Sequence, residues 1–495
     1  MNLACHTLAA LVLFGFVRRT LLLPSAARRF GTVSTILAGA IAVVWATHPL
    51  ATSAVTYVIQ RAEVMMALFY LSTLYCFARG AARQDEGRPS SSMNGVTAAN
   101  GGGWHALSIA ACWLGMATKE VMATAPFMLL LYDRCFIAGS FHEAWRRRRN
   151  VYLALAASWL LLAGLMAGAG SRGGTVGFGA AVSWWEYAGV QVRAIPHYLG
   201  LALWPTPLVF DYGEKLAVPA IHVVRGALVL GAILAATLVG VRRSPAGAFP
   251  GVAFFAILAP TSSVVPVVSQ VMAEHRMYLP LAAVVVVAVL GLHVLLGRRP
   301  LILWTAVAVV FGGLTVRRNA DYRSGLAIWS DTVEEMPDNA RARYNLGIML
   351  EQAGRLAEAV AQFRAVLRLQ PRDVETHNKV GNLLLRAGTR AEALEHFRTA
   401  VALRPDYADA RNNLGVALIQ AGRAAEAIEH FSAVVRLRPD LFEAHFNLAN
   451  ALLQANRPDE AVVQYERAVR IRPDDPQARQ MLDRARSPRA AKERE

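Results

Sequence analysis

Five prolines recur at 34-residue intervals: Pro337, Pro371, Pro405, Pro439 and Pro473. A fixed period of this length marks stacked supersecondary units, none of which buries its apolar face alone. Other positions keep the same step. Gly347, Gly381 and Gly415 recur, with Ala449 as the small fourth member. Gly354, Gly388 and Gly422 follow seven residues later, with Asn456 fourth. Ala359, Ala393, Ala427 and Ala461 precede an aromatic series of Phe363, Phe397, Phe431 and Tyr465. Each unit reads as helix, turn, helix, stop. The glycine or asparagine makes the turn and the proline ends the second helix.

Period and pattern resemble the tetratricopeptide repeat (TPR). Four repeats are expected over 338–475, with a capping helix and basic tail over 476–495. Trp329 lies 34 residues before Phe363, so 320–337 is expected to be a joining half repeat.

The first 319 residues are of another kind. The chain is 55% hydrophobic, with a mean hydropathy of +0.34, more apolar than soluble domains usually are. Ten apolar segments are read, near 3–17, 30–47, 62–78, 104–118, 121–136, 151–169, 219–241, 248–264, 277–297 and 300–316. Several fall short of the ~20 residues that cross a ~30 Å hydrocarbon core. The expected fold class is therefore all-α: a polytopic helical membrane domain over 1–319, followed by a TPR solenoid.

Charge supports that division. Residues 1–319 hold 25 Lys+Arg against 10 Asp+Glu, and residues 320–495 hold 26 against 25. Nearly all of the net +16 thus belongs to the membrane half. It reads as topology, because basic loops stay cytoplasmic. The near-neutral repeats argue against a nucleic-acid partner. Arg18, Arg19, Arg28 and Arg29 follow the first segment, Arg146 to Arg149 the fifth, Arg242 and Arg243 the seventh, and Arg298 and Arg299 the ninth. All can be cytoplasmic at once. The Gly/Ser-rich stretch 87–103 joins them as a flexible linker. The repeat array and the N-terminus are then extracytoplasmic, in an integral protein of a bacterial inner membrane. A first helix that starts outside leads to the expectation of a further membrane helix upstream of Met1. Residues 186–204 carry Arg193 and His197 on one helical face. They read as an amphipathic helix on the outer membrane surface, or as a span with a snorkelling arginine.

Charged residues beside spans are expensive and usually pair or serve function. Seven sit at the expected outer face: Arg61, Glu63, Lys119, Glu120, Glu274, His275 and Arg276. Each alone is explained by an ion pair or a solvated helix end. Together they suit an anionic, lipid-linked substrate. Arg61, Lys119, His275 and Arg276 are the candidates for holding a donor phosphate. Glu63 and Glu120 are the candidates for orienting or deprotonating an acceptor. On the repeats, Asn345, Asn382, Asn413 and Asn447 lie on first helices, which line the concave surface. They either bind a peptide backbone or tie neighbouring helices together.

No metal or cofactor is called. Cys5, Cys76, Cys112 and Cys135 lie in apolar runs without CxxC or CxxH spacing. No GxxxxGK[ST], HExxH or GxSxG occurs. Gly170, Gly173, Gly174 and Gly177 read as an outer loop, with no strand before them.

An ordered set of short motifs resembles the transmembrane-and-TPR protein O-mannosyltransferase family and its bacterial relatives. The set is His48-Pro49-Leu50-Ala51-Thr52 with Arg61 and Glu63; Thr118-Lys119-Glu120 with Pro126 and Leu131-Tyr132-Asp133; Leu203-Trp204-Pro205-Thr206-Pro207-Leu208 with Asp211-Tyr212; Glu274-His275-Arg276-Met277-Tyr278-Leu279-Pro280; and Arg318-Asn319. The resemblance implies a membrane glycosyltransferase of the GT-C fold. Such an enzyme moves a sugar from a polyprenyl-phosphate donor to a protein hydroxyl on the extracytoplasmic side. It also implies that the key carboxylates lie in a first outer loop, ahead of the point that matches Met1. A non-catalytic membrane scaffold whose repeats bind envelope proteins is the alternative.

Overall fold

A computed structural model describes residues 1–86, 101–169, 183–213, 219–262, 270–297 and 300–492. The linker at 87–100, the glycines at 170–177, Arg298, Arg299 and the last three residues lie outside the described set. The described residues are mostly helical, with no strand among them. The chain forms two compact units, Met1–Met336 and Pro337–Glu495.

The first unit begins with α1 (Asn2–Leu21), α2 (Pro24–Phe30), α3 (Ser34–Thr47), α4 (Thr52–Thr56) and α5 (Arg61–Glu86). It continues with α6 (Gly102–Met116), α7 (Ala125–Tyr132), α8 (Phe141–Ala156), α9 (Ser158–Ala169) and α10 (Trp184–Leu203). It closes with α11 (Ala220–Arg243), α12 (Pro245–Leu258), α13 (Pro280–Leu296), α14 (Pro300–Asp321) and α15 (Gly325–Glu335). Six helical stretches among the described residues are long and apolar enough to cross a membrane: Asn2–Leu21, Pro24–Thr47, Arg61–Gln84, Glu120–Ala138, Phe141–Gly168 and Ala220–Arg243. Pro245–Leu258 and Pro280–Leu296 are apolar but shorter. The sequence count of ten segments included these and α6. At ~1.5 Å per residue a 15-residue helix reaches ~22 Å, less than the hydrocarbon core.

The core of this unit is built on α1, which packs against α3 and α5, while α5 packs against α6. Trp45, Tyr70, Phe77 and Tyr132 are fully enclosed there. The outer helices have the opposite character. α11 buries only Gly226, where a Cβ would collide with the Val192 carbonyl of α10. Its Ile221, Val224, Leu228, Leu234 and Leu238 face outward, as lipid-facing side chains do. α10 is amphipathic: Tyr187, Val190, Gln191, Ala194, Ile195 and Tyr198 are buried, and Arg193 and His197 are exposed on the other side.

In the second unit the repeats pair α16 (Ala340–Gln352) with α17 (Leu356–Leu369), and α18 (Val374–Arg386) with α19 (Arg390–Leu403). They then pair α20 (Ala408–Gln420) with α21 (Ala424–Leu437), and α22 (Phe442–Gln454) with α23 (Pro458–Ile471), before α24 (Pro476–Lys492). The 34-residue series are packing rules. A Cβ on Gly415 would sit 2.7 Å from the Phe431 ring, and one on Gly381 the same distance from Phe397. The turn positions all take positive φ: 76° at Gly354, 84° at Gly388, 74° at Gly422 and 59° at Asn456. Only glycine and asparagine visit that region readily.

Candidate functional site

α5 starts with Arg61 exposed and Glu63 turned inward, 3% exposed. A carboxylate in the first turn of a helix is favoured by the unpaired N–H groups there. Two distant segments arrive beside it. Lys119, from the turn that ends α6, donates to Glu63 Oε1. His275 Nε2 lies 3.7 Å from the same oxygen. Burial, reinforced by the neighbouring Lys119 and Arg276 charges, holds His275 well below its ordinary pKa, so the imidazole is neutral.

Glu274 faces another way. Its Oε1 accepts from the Val209 N–H at 2.6 Å and from the Tyr212 hydroxyl at 2.8 Å. His197 Nε2 reaches the same hydroxyl oxygen at 3.0 Å. Burial dominates and pushes the Glu274 pKa up to about 7. A carboxyl poised there exchanges a proton near neutrality.

A narrow cleft beside Glu274 and His275, with about 20 Å³ of free space, is lined by Ser53, Tyr57, Gln60, Phe210, Glu274 and His275, among others. The Ser53 hydroxyl is buried without a hydrogen-bond partner among the described residues. Four rings, Tyr57, Phe210, Tyr322 and Trp329, contact one another at the rim with centroids 5.1 to 6.5 Å apart. Trp329 on α15 therefore packs within the first unit, against Phe210.

The remaining sequence candidates separate. Arg276 is 7% exposed, and its guanidinium is taken up by protein: Nη1 donates to the Tyr187 hydroxyl at 2.9 Å, to Val271 O at 3.2 Å and to Gln191 Oε1 at 3.5 Å, while Nη2 donates to Gln270 O. It ties α10 to the loop before α13. Arg61 is exposed, with no hydrogen bond or ion pair to another described residue. Glu120 opens a short turn of 3-10 helix, partly buried, without a described partner. Among the asparagines, Asn413 Nδ2 donates to Asn378 Oδ1 and Asn447 Nδ2 to Asn412 Oδ1, each at 2.9 Å. Both bonds link the first helices of neighbouring repeats. Asn345 and Asn382 are partly buried on α16 and α18.

Several residues around the cleft were not site candidates from sequence. His48 Nδ1 accepts from the Leu50 N–H at 3.1 Å, so its Nε2 carries the proton and donates to Ala202 O at 3.1 Å. Burial pushes the His48 pKa down to about 4. His6 is arranged likewise: Nε2 donates to Ala46 O at 2.9 Å, and Nδ1 accepts from the Tyr278 hydroxyl at 2.6 Å. This anchors the segment that carries Glu274, His275 and Arg276. Arg318 donates to Asp331 at 2.5 Å and to Asp321 at 3.2 Å, and its Nη2 is buried with no described partner. Each of these residues lies in, or contacts, one of the short ordered motifs, which was the available signal.

Comparison with known proteins agrees on the repeats. One tetratricopeptide repeat model matches residues 418–485, and another matches 313–374 and 379–442. The chain is 30% identical over 126 residues to the protein O-mannosyl-transferase TMTC1 of Homo sapiens, covering 24% of this chain and 14% of that protein. The Mus musculus protein of the same name is 29% identical, over 24% of this chain and 13% of its own length. This chain therefore matches only a small part of these curated relatives. Among solved structures, YrrB, described as a TPR protein with an unusual peptide-binding site, is 25% identical, covering 34% of this chain and 86% of that one, with a TM-score of 0.30. MamA is 21% identical, over 31% and 85%, with a TM-score of 0.29. The chain thus carries a TPR array behind a helical unit with several membrane-length apolar helices, and it has a partial likeness to protein O-mannosyltransferases.

Proposed function

We propose that this chain is a GT-C-like membrane glycosyltransferase, which moves a mannose-type sugar from a polyprenyl-phosphate donor to protein hydroxyls on the extracytoplasmic side. One observation carries the reading. Glu63, Lys119 and His275, from segments up to 212 residues apart in sequence, meet beside the cleft that also holds Glu274. The partial likeness to the TMTC1 transferases supports the same class.

The acceptor hydroxyl oxygen attacks the anomeric carbon. The bond from that carbon to the phosphate oxygen breaks, and polyprenyl phosphate leaves with the electron pair. The hydroxyl proton passes to a base. Glu274, with a pKa near 7, is the group whose chemistry suits that step. Glu63 holds Lys119 and His275 in place. Arg61 and Lys119 supply positive charge for the phosphate. Glu120, half-buried and beside Lys119, is the second acceptor-side candidate. The TPR array recruits the acceptor as an extended segment along its first helices.

The scaffold reading has its own support. Arg276 is saturated by protein acceptors and Glu63 is already paired. Reconstituted protein, a polyprenyl-phosphate mannose and a Ser/Thr-rich peptide separate the two. Transfer by the parent that Glu274→Gln reduces at least a hundredfold supports the enzyme. Peptide binding with no transfer by either protein supports the scaffold.

A further inference from the structure

A second cavity shares no lining residue with this cleft. It is a groove of about 460 Å³ between α1, α2, α5, α12 and α13. Along α13 it runs from Leu279 to Val294, which is ~22 Å of helix. One leaflet supplies only about half of a ~30 Å core. The groove is therefore deep enough for a whole acyl chain. Its walls are Leu13, Phe16, Leu74, Phe249, Ile257 and similar side chains. Gly291 lines it too, and a Cβ there would meet nothing within 4 Å.

Polarity is concentrated at one end. Arg29, Ser25 and Ser244 line that mouth, and no residue lining the groove is acidic. Arg28, next to Arg29, and Arg242 and Arg243, next to Ser244, are exposed. None of the four arginines has an ion pair with a carboxylate among the described residues. Arg29 at the mouth, with Arg28, Arg242 and Arg243 as exposed sequence neighbours of lining residues, gives this end of the groove a positive charge that complements an anionic headgroup.

We infer that the groove is a binding site for one anionic phospholipid, with an acyl chain in the slot and the phosphate at Arg29. This is a site separate from the cleft at Glu274, and it requires no transferase activity. Basic pockets between membrane helices take anionic headgroups on the leaflet where such lipids are enriched.

The test uses the full chain, delipidated in detergent and titrated with phosphatidylglycerol or phosphatidylcholine while bound lipid is counted by native mass spectrometry. One phosphatidylglycerol per chain is expected, bound more tightly than phosphatidylcholine. Arg29→Gln, at an exposed position, is expected to weaken phosphatidylglycerol about fivefold and leave phosphatidylcholine unchanged. Gly291→Phe is expected to weaken both, and Gly291→Ala neither. Equal binding of the two lipids by the parent overturns the inference, as does an Arg29→Gln variant that binds like the parent. Displacement of phosphatidylglycerol by equimolar polyprenyl phosphate also overturns it, because the slot then belongs to a prenyl lipid.

Discussion

His275 Nε2 stands 3.7 Å from Glu63 Oε1, and the Lys119 ammonium donates to the same oxygen. Three chain segments are fixed to one another at that carboxylate. The Lys119–Glu63 pair carries the charge balance, because His275 is neutral. Removing one member of such a pair leaves a buried charge without compensation.

Lys119→Met is therefore expected to destabilise the membrane unit by about 3–5 kcal/mol. The double variant Lys119→Met/Glu63→Gln removes both charges, so it should recover most of that loss. Thermal unfolding of the purified chain in detergent reads both. A double variant as unstable as Lys119→Met would show that the pair is not what holds the segments together.

Glu274 gives stability a pH dependence with a defined sign. Its folded pKa is raised from 4.5 to about 7, mainly by burial. Between those values the folded protein binds more protons than the unfolded one. Stability from this group is complete below about pH 4.5 and is lost as pH rises towards 7. The full effect is roughly 3 kcal/mol. His275 acts oppositely: its lowered pKa makes its contribution fall as pH drops below 6.5. The two slopes partly cancel in the parent. The expected result is that Glu274→Gln exposes the His275 slope alone, with stability rising from pH 5 to 6.5. A parent and variant with parallel pH profiles would contradict the shift.

The repeats were legible because their rule is short-range and repeated. Gly415 is small because Phe431 occupies the space its Cβ would need, and the same 16-residue offset recurs at Gly381 and Phe397. The cleft was legible only in part. Charge beside a span announced Glu63, Lys119 and His275, but their meeting depends on how α5, α6 and α13 pack, which no local pattern encodes. Arg148 shows the cost of reading charge as topology. It sits among four arginines that signal a cytoplasmic loop, yet it is fully buried and its Nη1 donates to both Asp133 oxygens at 2.9 Å. A break in α8 at Arg148, with φ −135°, turns the side chain inward. Asp133 in the apolar run Leu131-Tyr132-Asp133 was the signal, since a carboxylate there demands a partner.

Gly415→Ala is expected to cost about 1–3 kcal/mol through overpacking against Phe431. Pairing it with Phe431→Leu should return part of the loss by making room. Gly354→Ala tests a different cost. Nothing crowds its Cβ, but its φ of 76° charges about 1–2 kcal/mol for any L side chain. A change to Phe363→Leu should therefore not rescue Gly354→Ala. Helix melting followed by circular dichroism separates the two cases.

The Asn413–Asn378 bond distinguishes a strut from a ligand contact. Asn413→Ala should cost about 1 kcal/mol by leaving the Asn378 carbonyl oxygen without its donor. In a double-mutant cycle with Asn378→Ala the coupling should be of that same size. If Asn413 serves only a bound peptide, the cycle in the free protein will show no coupling, and the loss will appear in peptide affinity alone.

Arg276 poses the same question where the consequence is larger. Its guanidinium satisfies the Tyr187 hydroxyl and the carbonyls of Gln270 and Val271, so deleting it strands acceptors in a buried setting. Arg276→Ala is expected to lower stability by about 1–3 kcal/mol per group left unpaired. Arg276→Lys should recover little, because one ammonium cannot reproduce the planar fork that reaches Tyr187 and both carbonyls together. Tyr187→Phe, which removes one acceptor of Arg276 and the donor to Thr261 O at 2.7 Å, should cost less than Arg276→Ala. A donor-phosphate role makes a different pattern: Arg276→Lys would keep the charge and most of the affinity for polyprenyl-phosphate sugar, with unfolding temperature unchanged in both variants. Measuring unfolding temperature and donor binding on the same three variants decides between them, since a structural hub ranks the variants by lost hydrogen bonds and a phosphate ligand ranks them by lost charge.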